Sequence, residues 1–286
     1  MARILVTGAR GMLGTCLCRE FSGRHQVLAT ARRGGEGIVP LDITDAEAVE
    51  RVLQEARPDW ILNAAAYTAV DRAEAEEEAA FRVNAEAPGI LGRAAARTGA
   101  RLLHVSTDFV FSGEKESPYV EDDPVDPLSA YGRSKEAGER AVRDAGCEHA
   151  IVRVAWLYGR GENNFVATML RLGRERDEVR VVDDQVGTPT YAADAAGAIR
   201  RVVEADLRGT IHATNQGETT WFGLAEEALR LAGLSTRLVP ITTLDYPTPA
   251  RRPANSRLDN AVLRATVGDP MRPWQEALKA CLEGRG

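Results

Sequence analysis

The stretch RILVTGARGMLG, residues 3–14, decides the fold. A short apolar run, Arg3–Thr7, is predicted to be a strand, and Met12–Phe21 has the hydrophobic period of a helix. Three glycines are spaced GxxGxxG: Gly8 and Gly11 lie between the strand and the helix, and Gly14 lies in the first turn of the helix. Such a turn lets the backbone approach a pyrophosphate, which the free N–H groups of the helix N-terminus then bind. We therefore interpret the stretch as a dinucleotide-binding turn rather than a purely structural one.

The alternation of strand and helix continues along the chain. Further strands are predicted over residues 26–30, in DWILNAAA up to about residue 63, and over residues 102–106 and 150–154. Helices are predicted over residues 45–56, 73–98 and 131–145. Strands that alternate with helices form a parallel sheet with helices on both faces. The sequence thus predicts an α/β fold with a Rossmann-type, doubly wound parallel sheet.

The rhythm loosens beyond Trp156. A helix over NNFVATMLRLGRER, a short strand in VRVVDDQ and a helix over TYAADAAGAIRRVVEA are followed, from Thr219, by helices that a proline-rich connection (residues 240–253) joins. This pattern indicates a smaller C-terminal lobe. We expect residues 1–160 to form the dinucleotide-binding domain, with residues from about 187 to 220 returning to it, and residues 161–286 to be mainly a substrate-binding lobe.

Residues 112–129, SGEKESPYVEDDPVDPLS, fit neither a strand nor a long helix, because they carry three prolines and six acidic residues. The segment lies between the strand that ends near Ser106 and the helix that begins near Tyr131. A solvated surface loop is one interpretation. A loop that is mobile alone and becomes ordered over bound substrate is favoured, because long irregular loops in compact domains are usually functional.

Composition limits the partners and the location. The 286 residues carry a formal net charge of −6 and no run of Lys or Arg longer than two, so we expect no nucleic acid partner. Four cysteines without a CxxC pair and four scattered histidines indicate neither disulfides nor a zinc site, and we predict no metal ligand. No apolar run reaches the length of a membrane span. The sequence predicts a soluble, cytoplasmic protein.

The turn after the second predicted strand bears on the choice of cofactor. A site for NAD usually has an acidic residue there to bind the adenosine ribose, whereas this chain has Arg32 and Arg33 in QVLATARRGG. Two solvated arginines are the alternative interpretation. Recognition of a 2′-phosphate is favoured, so we predict NADP(H) in preference to NAD(H), which remains the second choice.

A candidate catalytic group follows from the stretch AYGRSKEAGE. Tyr131 and Lys135 lie one helical turn apart and share a face, and Thr107 ends a strand at the carboxyl edge of the sheet, where ligands bind. Tyr131 can donate a proton to a ketone oxygen if the Lys135 ammonium and the cationic nicotinamide ring together lower the phenol pKa from about 10 towards neutrality. Thr107 is placed to polarise the carbonyl. A surface Tyr–Lys pair is the alternative, but the glycine turn and Thr107 favour a ketone reductase.

Together these motifs resemble the dTDP-4-dehydrorhamnose reductase family of the extended short-chain dehydrogenase/reductase superfamily. The resemblance runs nearly end to end, through ILVTGARGMLG, PDWILNAAAYTAVDRAE, VNAEAPGILGRAA, LLHVSTDFVFSG, YGRSKEAGE, IVRVAWLYG, DDQVGTPTYAADAA and RRPANSRLDN. STDFVF and DQVGTPT discriminate better than the glycine turn, because most members of the superfamily lack them. The resemblance implies reduction of the 4-keto group of a dTDP-4-keto-6-deoxyhexose, dTDP-4-dehydrorhamnose to dTDP-L-rhamnose, with NADPH or NADH.

The resemblance also implies cofactor contacts by position. The pyrophosphate would be bound at the start of the first helix, by Gly11, Met12 and Leu13. The adenine would be flanked by Asp42 and Ile43, which follow the third strand. After the next strand, the residues along the cofactor would be Ala64, Ala65, Ala66 and Tyr67, and Val105 would lie beneath the nicotinamide. Tyr131 resembles the proton donor, and Lys135 resembles the lysine that binds ribose.

The implied substrate contacts lie further along the chain. Thr107 and Asp108 resemble the pair that contacts the sugar. Trp156 resembles a tryptophan that contacts substrate, although by itself a tryptophan there would more often be core packing. Three further residues would help to hold the nucleotide diphosphate: Asn163, Asn164 and Phe165. The implied partner is a dTDP-sugar, and the chain would be a monomer or a homodimer. Some family members bind magnesium at a dimer contact, but no acidic cluster here is assigned to it.

Two other functions stay open at this point. A nucleotide-sugar epimerase or dehydratase of the same superfamily would share the fold. A dehydratase usually has an extra acidic pair beside the threonine, however, and here Asp108 is followed by Phe109. A non-catalytic NADP-binding regulatory subunit is the other alternative, although it would not need intact Thr107, Tyr131 and Lys135.

Overall fold

The structure, a computed structural model, describes residues 1–161 and 164–284. The strands are β1 (Arg3–Thr7), β2 (Gln26–Ala31), β3 (Ile38–Pro40), β4 (Trp60–Asn63), β5 (Arg101–Thr107), β6 (His149–Val154), β7 (Leu157–Tyr158), β8 (Glu178–Val182), β9 (Val186–Gly187), β10 (Thr190–Tyr191), β11 (Gly209–His212), β12 (Thr219–Thr220) and β13 (Arg237–Ile241). The helices are α1 (Met12–Phe21), α2 (Ala46–Ala56), α3 (Val70–Ala73), α4 (Glu77–Phe81), α5 (Ala87–Thr98), α6 (Ala130–Arg143), α7 (Phe165–Glu175), α8 (Ala192–Glu204), α9 (Trp221–Leu231), α10 (Ala261–Val267) and α11 (Trp274–Leu282).

Seven strands form one parallel sheet in the order β11-β6-β5-β4-β1-β2-β3, which confirms the predicted doubly wound α/β fold. The strand order reverses between β1 and β4. At such a reversal the connections leave in opposite directions and open a crevice at the carboxyl ends of the strands, where ligands bind. The glycine turn follows β1 and therefore lies in this crevice.

Helices cover both faces of the sheet, so its central strands are continuous apolar runs. On one face, Leu17 and Phe21 of α1 pack with Ile199 of α8. On the other face, Leu53 of α2 and Leu91 of α5 belong to a second buried cluster. Among the described residues, no helix is long and apolar enough to cross a membrane.

The helical stretch predicted over residues 73–98 is confirmed from Glu77 to Thr98, but it is not one regular helix. The chain there is divided into α3, α4, a π-helical turn at Arg82–Glu86, and α5. Pro88 has no N–H to donate to the carbonyl of Asn84 four residues earlier, so a regular helix is interrupted at this point. The Asn84 side chain instead donates to Tyr67 O at 3.0 Å and to Ser134 Oγ at 3.0 Å, which fastens the turn to α6.

The C-terminal region also differs from its prediction, because β13 was expected to belong to a proline-rich connection between helices. It pairs in parallel with β8 in a separate two-stranded sheet. Pro240 lies within β13, and proline is accepted in a strand only where no ladder donor is needed, as at a sheet edge. A prediction that takes proline to exclude a strand therefore misses β13.

Residues 112–129 form the irregular segment that the sequence predicts, but they are anchored. Tyr119 is buried and stacks on Phe111, with the ring centroids 4.1 Å apart. The buried carboxylate of Glu121 accepts a hydrogen bond from the backbone N–H of His212 at 3.1 Å. These contacts are at odds with the expected mobility, because they tie the middle of the segment to the sheet.

Helix α6 approaches the π-helical turn so closely that only glycine fits at position 138. A Cβ there would lie 1.9 Å from Asn84 O. We expect Gly138→Ala to lower the free energy of unfolding by at least about 2 kcal/mol, because backbone has to move. Gly197→Ala in α8 is the matched control: among the described residues nothing lies within 4 Å of its Cβ, and it should raise stability by about 0.5–1 kcal/mol. Urea unfolding measures both, and equal changes would contradict this account.

Candidate active site

The glycine turn leaves the start of α1 open for an anion. Gly8 has φ +68°, and a Cβ on it would lie 2.7 Å from Ala65 N, so glycine permits the close approach of the β1 and β4 ends. A Cβ on Gly14 would lie 2.1 Å from Gly8 O. Gly11 is the N-cap residue and supplies no side-chain cap among the described residues. The backbone N–H groups at Met12 and Leu13 therefore stay available for a pyrophosphate.

The turn after β2 holds one more guanidinium than the two, Arg32 and Arg33, that the sequence predicts there. Arg32 and Arg33 are exposed, which fits both binding of a ligand phosphate at the surface and the alternative of two solvated arginines. Arg10, inside the glycine turn, donates from Nε to Arg33 O at 3.1 Å and from Nη2 to Gly34 O at 2.8 Å. Arg10 thus fixes the backbone of the turn and adds a third guanidinium to it.

The residues predicted to line the cofactor follow the carboxyl ends of β3 and β4, which β1 and β2 separate in the sheet. Asp42 accepts from the backbone N–H of Thr44 at 3.0 Å and from its hydroxyl at 2.7 Å, and these bonds lower the pKa of its carboxyl. Ile43 is buried in the core, so its backbone rather than its side chain is left to face a ligand. Ala64, Ala65 and Ala66 follow β4 and are half-buried.

Tyr67 ends this row, and its polar groups are already engaged. Its hydroxyl donates to Glu76 Oε2 at 2.6 Å, and the same bond raises the pKa of the phenol. Its backbone N–H donates to Asn84 Oδ1 at 2.8 Å. The π-helical turn therefore fixes the row of residues along which the cofactor was predicted to lie.

The predicted catalytic group is brought together at the carboxyl edge of the sheet. Ser129 caps α6 by accepting a hydrogen bond from Gly132 N at 3.1 Å, and the helix presents Tyr131 and Lys135 to the end of β5. The Thr107 hydroxyl lies close enough to the Tyr131 phenol to lower the pKa of the phenol through a hydrogen bond. Lys135 Nζ donates to Val105 O at 2.7 Å. A phenol, a hydroxyl and an amino group thus share one buried site.

Burial sets the pKa of each titratable group in this site. It raises the pKa of Tyr131 to about 12, an effect that the Thr107 hydroxyl opposes and the charge of Asp108 increases. It lowers the pKa of Lys135 to about 8, which the Glu139 carboxylate opposes. The protein groups around Tyr131 thus do not lower its pKa, and the lowering by Lys135 together with the nicotinamide ring stays a prediction. The phenol keeps its proton at neutral pH, which is the form that a proton donor needs.

Asp108 is a buried carboxyl beside the phenol. Burial raises its pKa to about 6, against a lowering by hydrogen bonds, among them one from the Thr107 hydroxyl to Oδ1 at 2.9 Å. Within the described part of the chain, no group is positioned to hydrogen-bond to Oδ2. The Ser256 hydroxyl is nevertheless close enough to lower the pKa of the Asp108 carboxyl. A carboxylate that is buried and only partly satisfied costs stability unless a ligand supplies the missing donor.

We expect Asp108→Asn to stabilise the protein at pH 8 by about 2–3 kcal/mol and to have little effect at pH 4. Because the carboxyl pKa is higher folded than unfolded, the native state binds more protons between about pH 4 and pH 6. Stability from this group is thus lost as the pH rises through that window. Urea unfolding of both proteins across this range measures the difference, and a gain that does not grow with pH would contradict the assignment.

The edge of the site away from the glycine turn is aromatic. Trp156 has φ +45°, a conformation that non-glycine residues adopt mainly at functional or strained positions. It stacks on Trp221, with ring centroids 3.5 Å apart and an interplanar angle of 5°, and donates from Nε1 to Ser256 Oγ at 2.9 Å. Ser256 in turn lies beside Asp108. A continuous contact path thus links the carboxyl edge of the sheet to the C-terminal region.

The predicted diphosphate contacts receive less support from the side chains. Asn164 caps α7 through Oδ1 and donates from Nδ2 to Gly159 O and Gly161 O, each at 3.0 Å, so its amide is engaged by the chain itself. Phe165 packs on Trp221 with ring centroids 4.6 Å apart. Asn163 lies outside the described residues. Among the residues that the structure describes, no group of three His, Cys, Asp or Glu side chains is arranged to hold a metal ion.

Comparison with known proteins places this site in a family. The sequence profile of the RmlD substrate binding domain family matches residues 2–285. A dTDP-4-dehydrorhamnose reductase of Streptomyces griseus is 46% identical over 283 residues, which cover 96% of this chain and 91% of that protein. The chain belongs to the dTDP-4-dehydrorhamnose reductase family. The family predicted from the sequence motifs is thereby confirmed.

Two further similar proteins bear on cofactor and substrate. The crystal structure of a dTDP-4-dehydrorhamnose reductase from Bacillus anthracis in complex with NADP superposes with a TM-score of 0.93, at 36% identity and with 99% of each chain covered. A protein of Streptomyces antibioticus named as a probable dTDP-4,6-dihydroxy-2-methyloxan-3-one 4-ketoreductase is 43% identical, over 97% of this chain and 93% of that protein.

Sequence reasoning missed several side chains that shape this dTDP-4-dehydrorhamnose reductase family site. Two of them lie in recognised motifs and could have been found there. Arg10 follows Gly8 by two residues in the glycine turn, and Asn84 precedes Pro88 by four, the spacing of a helical hydrogen bond that proline cannot donate. Trp221 and Ser256 are 65 and 100 positions beyond Trp156 and meet it only through the fold. No local period in the sequence points to such pairs.

Proposed function

We propose that this member of the dTDP-4-dehydrorhamnose reductase family reduces the 4-keto group of a dTDP-4-keto-6-deoxyhexose with NAD(P)H, converting dTDP-4-dehydrorhamnose to dTDP-L-rhamnose. One observation carries the proposal: Thr107, Tyr131 and Lys135 meet in a buried site at the carboxyl edge of the sheet, in the crevice that the glycine turn also faces. Full-length relatives with this named activity support the substrate class.

The residues present fit NADP(H). Side chains on Gly8 or Gly14 would collide with the backbone at Ala65 and at Gly8, so these glycines permit the tight turn that a pyrophosphate needs, and the start of α1 has N–H donors available at Met12 and Leu13. The proposed remaining contacts, from the adenosine end to the nicotinamide end, are Arg32 and Arg33; Asp42 and Ile43; Ala64, Ala65, Ala66 and Tyr67; and Val105 and Lys135. A relative crystallised with NADP supports the choice of NADP(H), with NAD(H) as the second choice.

The residues of the chain have separate tasks in this reaction. When bound, NADPH supplies a hydride to the keto carbon. The Thr107 hydroxyl, which donates to Asp108 Oδ1 in the structure, turns its proton to the keto oxygen and polarises it, and the neutral Tyr131 phenol gives its proton to that oxygen, so that an alcohol forms. Lys135 holds the ribose hydroxyls and stabilises the phenolate that the proton transfer leaves, until the phenol is reprotonated from solvent.

The substrate is proposed to lie between the sheet edge and the C-terminal region. Thr107 and Asp108 would contact the sugar, and Trp156 would contact the substrate from the opposite side. Asn164 and Phe165 would border the diphosphate, as would Asn163, which the structure does not describe. We assign residues 1–160, together with about 187–220, to dinucleotide binding and residues 161–286 mainly to the substrate. We also infer a cytoplasmic enzyme that is a monomer or a homodimer.

A second candidate is a 4-ketoreductase that acts on a different dTDP-deoxysugar. It is favoured by the similarity to the Streptomyces antibioticus protein, which is nearly as high as the similarity to the Streptomyces griseus reductase. A dehydratase is disfavoured, because Asp108 is the one carboxylate next to Thr107 and Phe109 occupies the following position. A regulatory subunit is disfavoured by the intact catalytic group.

The test is the loss of NADPH absorbance when the purified protein is mixed with dTDP-4-keto-6-deoxy-L-mannose. We expect NADPH consumption and a product whose NMR spectrum is that of dTDP-L-rhamnose. Turnover of other dTDP-4-keto sugars with no turnover of this one would favour the second candidate. NADPH binding without consumption of NADPH by any 4-keto sugar would overturn the proposal.

A further inference from the structure

Behind Lys135 a line of buried polar side chains crosses three strands of the sheet. Thr7 on β1 donates from Oγ1 to Asn63 Oδ1 on β4 at 2.6 Å, and Asn63 Nδ2 lies 3.0 Å from His104 Nδ1 on β5. His104 Nε2 then lies 3.3 Å from Lys135 Nζ. All four residues are at most 2% exposed. Such a line is costly to bury unless each member is satisfied, and none of the roles proposed above requires it.

The charge of Lys135 determines how this line is hydrogen-bonded. Burial and the neighbouring Lys135 charge hold the pKa of His104 well below its ordinary value, so the imidazole is neutral and has one N–H and one lone pair. An ammonium only donates, so a charged Lys135 needs the lone pair on Nε2 and leaves the proton on Nδ1. Asn63 then has to present Oδ1 to that proton and its amide nitrogen to Thr7. This is the reverse of the amide orientation in the structure, where Oδ1 accepts from Thr7 and Nδ2 faces His104 Nδ1. A neutral amine at Lys135 has a lone pair that can accept from a proton on Nε2, so the orientation in the structure goes with the neutral form.

We propose that His104 is a positioning residue, which fixes Lys135 beside the phenol and accepts a hydrogen bond from its ammonium, while Asn63 and Thr7 reverse their hydrogen bonds to match the charge. The inference deepens the proposed function and rests on it, because Lys135 serves that reaction as a cation. Hydrogen bonds from charged donors are about twice as strong as neutral ones, so the line favours the charged form.

The other groups around Lys135 leave this role to His104. On α6, Tyr131 lies one turn before Lys135 and Glu139 one turn after it, and the Glu139 carboxylate acts on Lys135. Asp108, just after β5, acts on the Tyr131 phenol. The carboxylate of Glu139 is shared by Arg153, at 2.7 and 2.8 Å, and by Arg143, at 2.8 Å. Two guanidiniums already balance that charge. Among the residues that the structure describes, the hydrogen-bonding contacts of Nζ are Val105 O and His104 Nε2.

The composition of the chain makes the test direct. Of 36 Lys and Arg residues only three are lysines, Lys115, Lys135 and Lys279. Carbon-13-labelled lysine in the full chain therefore gives three Cε signals, and the variants Lys115→Arg and Lys279→Arg assign them. The shift of the Lys135 signal with pH reports its deprotonation without any sugar substrate. In the wild type we expect it to titrate near its pKa of about 8.

Two matched variants separate positioning from packing. His104→Gln places an amide near the position of Nε2 and keeps the contact to Lys135, whereas His104→Asn places it near Nδ1 and keeps only the contact to Asn63. Both are neutral, polar and smaller than histidine, so damage to packing should be similar. We expect Lys135 to titrate near the wild-type value in His104→Gln and about one pH unit lower in His104→Asn, a tenfold change in its deprotonation equilibrium. The basic limb of kcat against pH should move with it.

Equal titration of Lys135 in the wild type and both variants would overturn the proposal, and so would equal shifts in both variants. If His104→Asn does not fold, Thr7→Val cuts the far end of the line and should shift the titration in the same direction; no shift would overturn the proposal. A wild type that titrates and shifts as expected but consumes no NADPH with any 4-keto sugar would contradict the proposed function and leave the role of His104 standing.

Discussion

Replacing Tyr131 with phenylalanine is expected to lower kcat by at least about 100-fold, because removal of a general acid typically costs about 100- to 10,000-fold. The ring should stay in place, since it packs edge-on against Phe109 with centroids 5.5 Å apart. NADPH binding, followed by the fluorescence of the bound cofactor, should therefore be close to that of the wild type. The measurement is kcat with saturating NADPH and the dTDP-4-keto sugar.

Tyr158→Phe is the matched control for this experiment. Tyr158 is also a buried tyrosine, and its hydroxyl has no hydrogen-bond partner among the described residues. Removing that hydroxyl should leave kcat within about twofold, because no reacting group depends on it. Near-normal turnover in Tyr131→Phe, or equal losses in the two variants, would show that the proton comes from another group.

The pKa values give this reaction a defined pH dependence. Burial raises the pKa of Tyr131 to about 12, so the phenol is protonated through the physiological range and its ionisation does not limit the reaction. Lys135 has a pKa lowered to about 8 and loses its charge first as the pH rises. We therefore assign the basic limb of kcat to Lys135 rather than to Tyr131. The sequence motif identified both residues but could not give this order, because burial decides it.

Features that repeat at a local spacing were predictable from the sequence. The β1–α1 unit has the bounds that its apolar run and glycine turn predict, and the four-residue spacing of Tyr131 and Lys135 does place both on one buried face of α6. The parallel sheet followed from alternating periods. In each case the determining interactions lie within one or two turns of chain.

Features that depend on contacts between distant segments were not predictable. The π-helical turn around Asn84 is held to α6 by a hydrogen bond to Ser134, 50 residues away, and a uniform Ala/Glu-rich composition concealed that contact. The segment at Tyr119 looks like a mobile loop by composition, yet it is anchored by stacking on Phe111. The cytoplasmic location and the domain division stay predictions, since no contact in the fold decides them.

Cofactor choice is where the exposed arginines should have their largest effect. No carboxylate stands between Thr30 and Gly35, so the repulsion that excludes a 2′-phosphate is missing. Arg10 holds the backbone at Arg33 and Gly34 through two hydrogen bonds, which orders the turn before a ligand arrives. An ordered turn loses less conformational entropy on binding, and guanidiniums on it can pair with the phosphate.

We therefore expect the wild type to prefer NADPH to NADH, and Arg32→Ala with Arg33→Ala to reduce that preference by about 10- to 100-fold, the effect of losing one or two charge-assisted hydrogen bonds. The measurement is the ratio of kcat/KM for the two cofactors. Because both arginines are exposed, added salt should weaken the wild-type preference. Arg230→Ala with Arg237→Ala removes the same charge from exposed sites in the C-terminal region, where these arginines pair with Glu227 and Glu178, and should leave the ratio unchanged. A wild type that prefers NADH, or a ratio that the first double variant does not alter, would refute the role of the arginines.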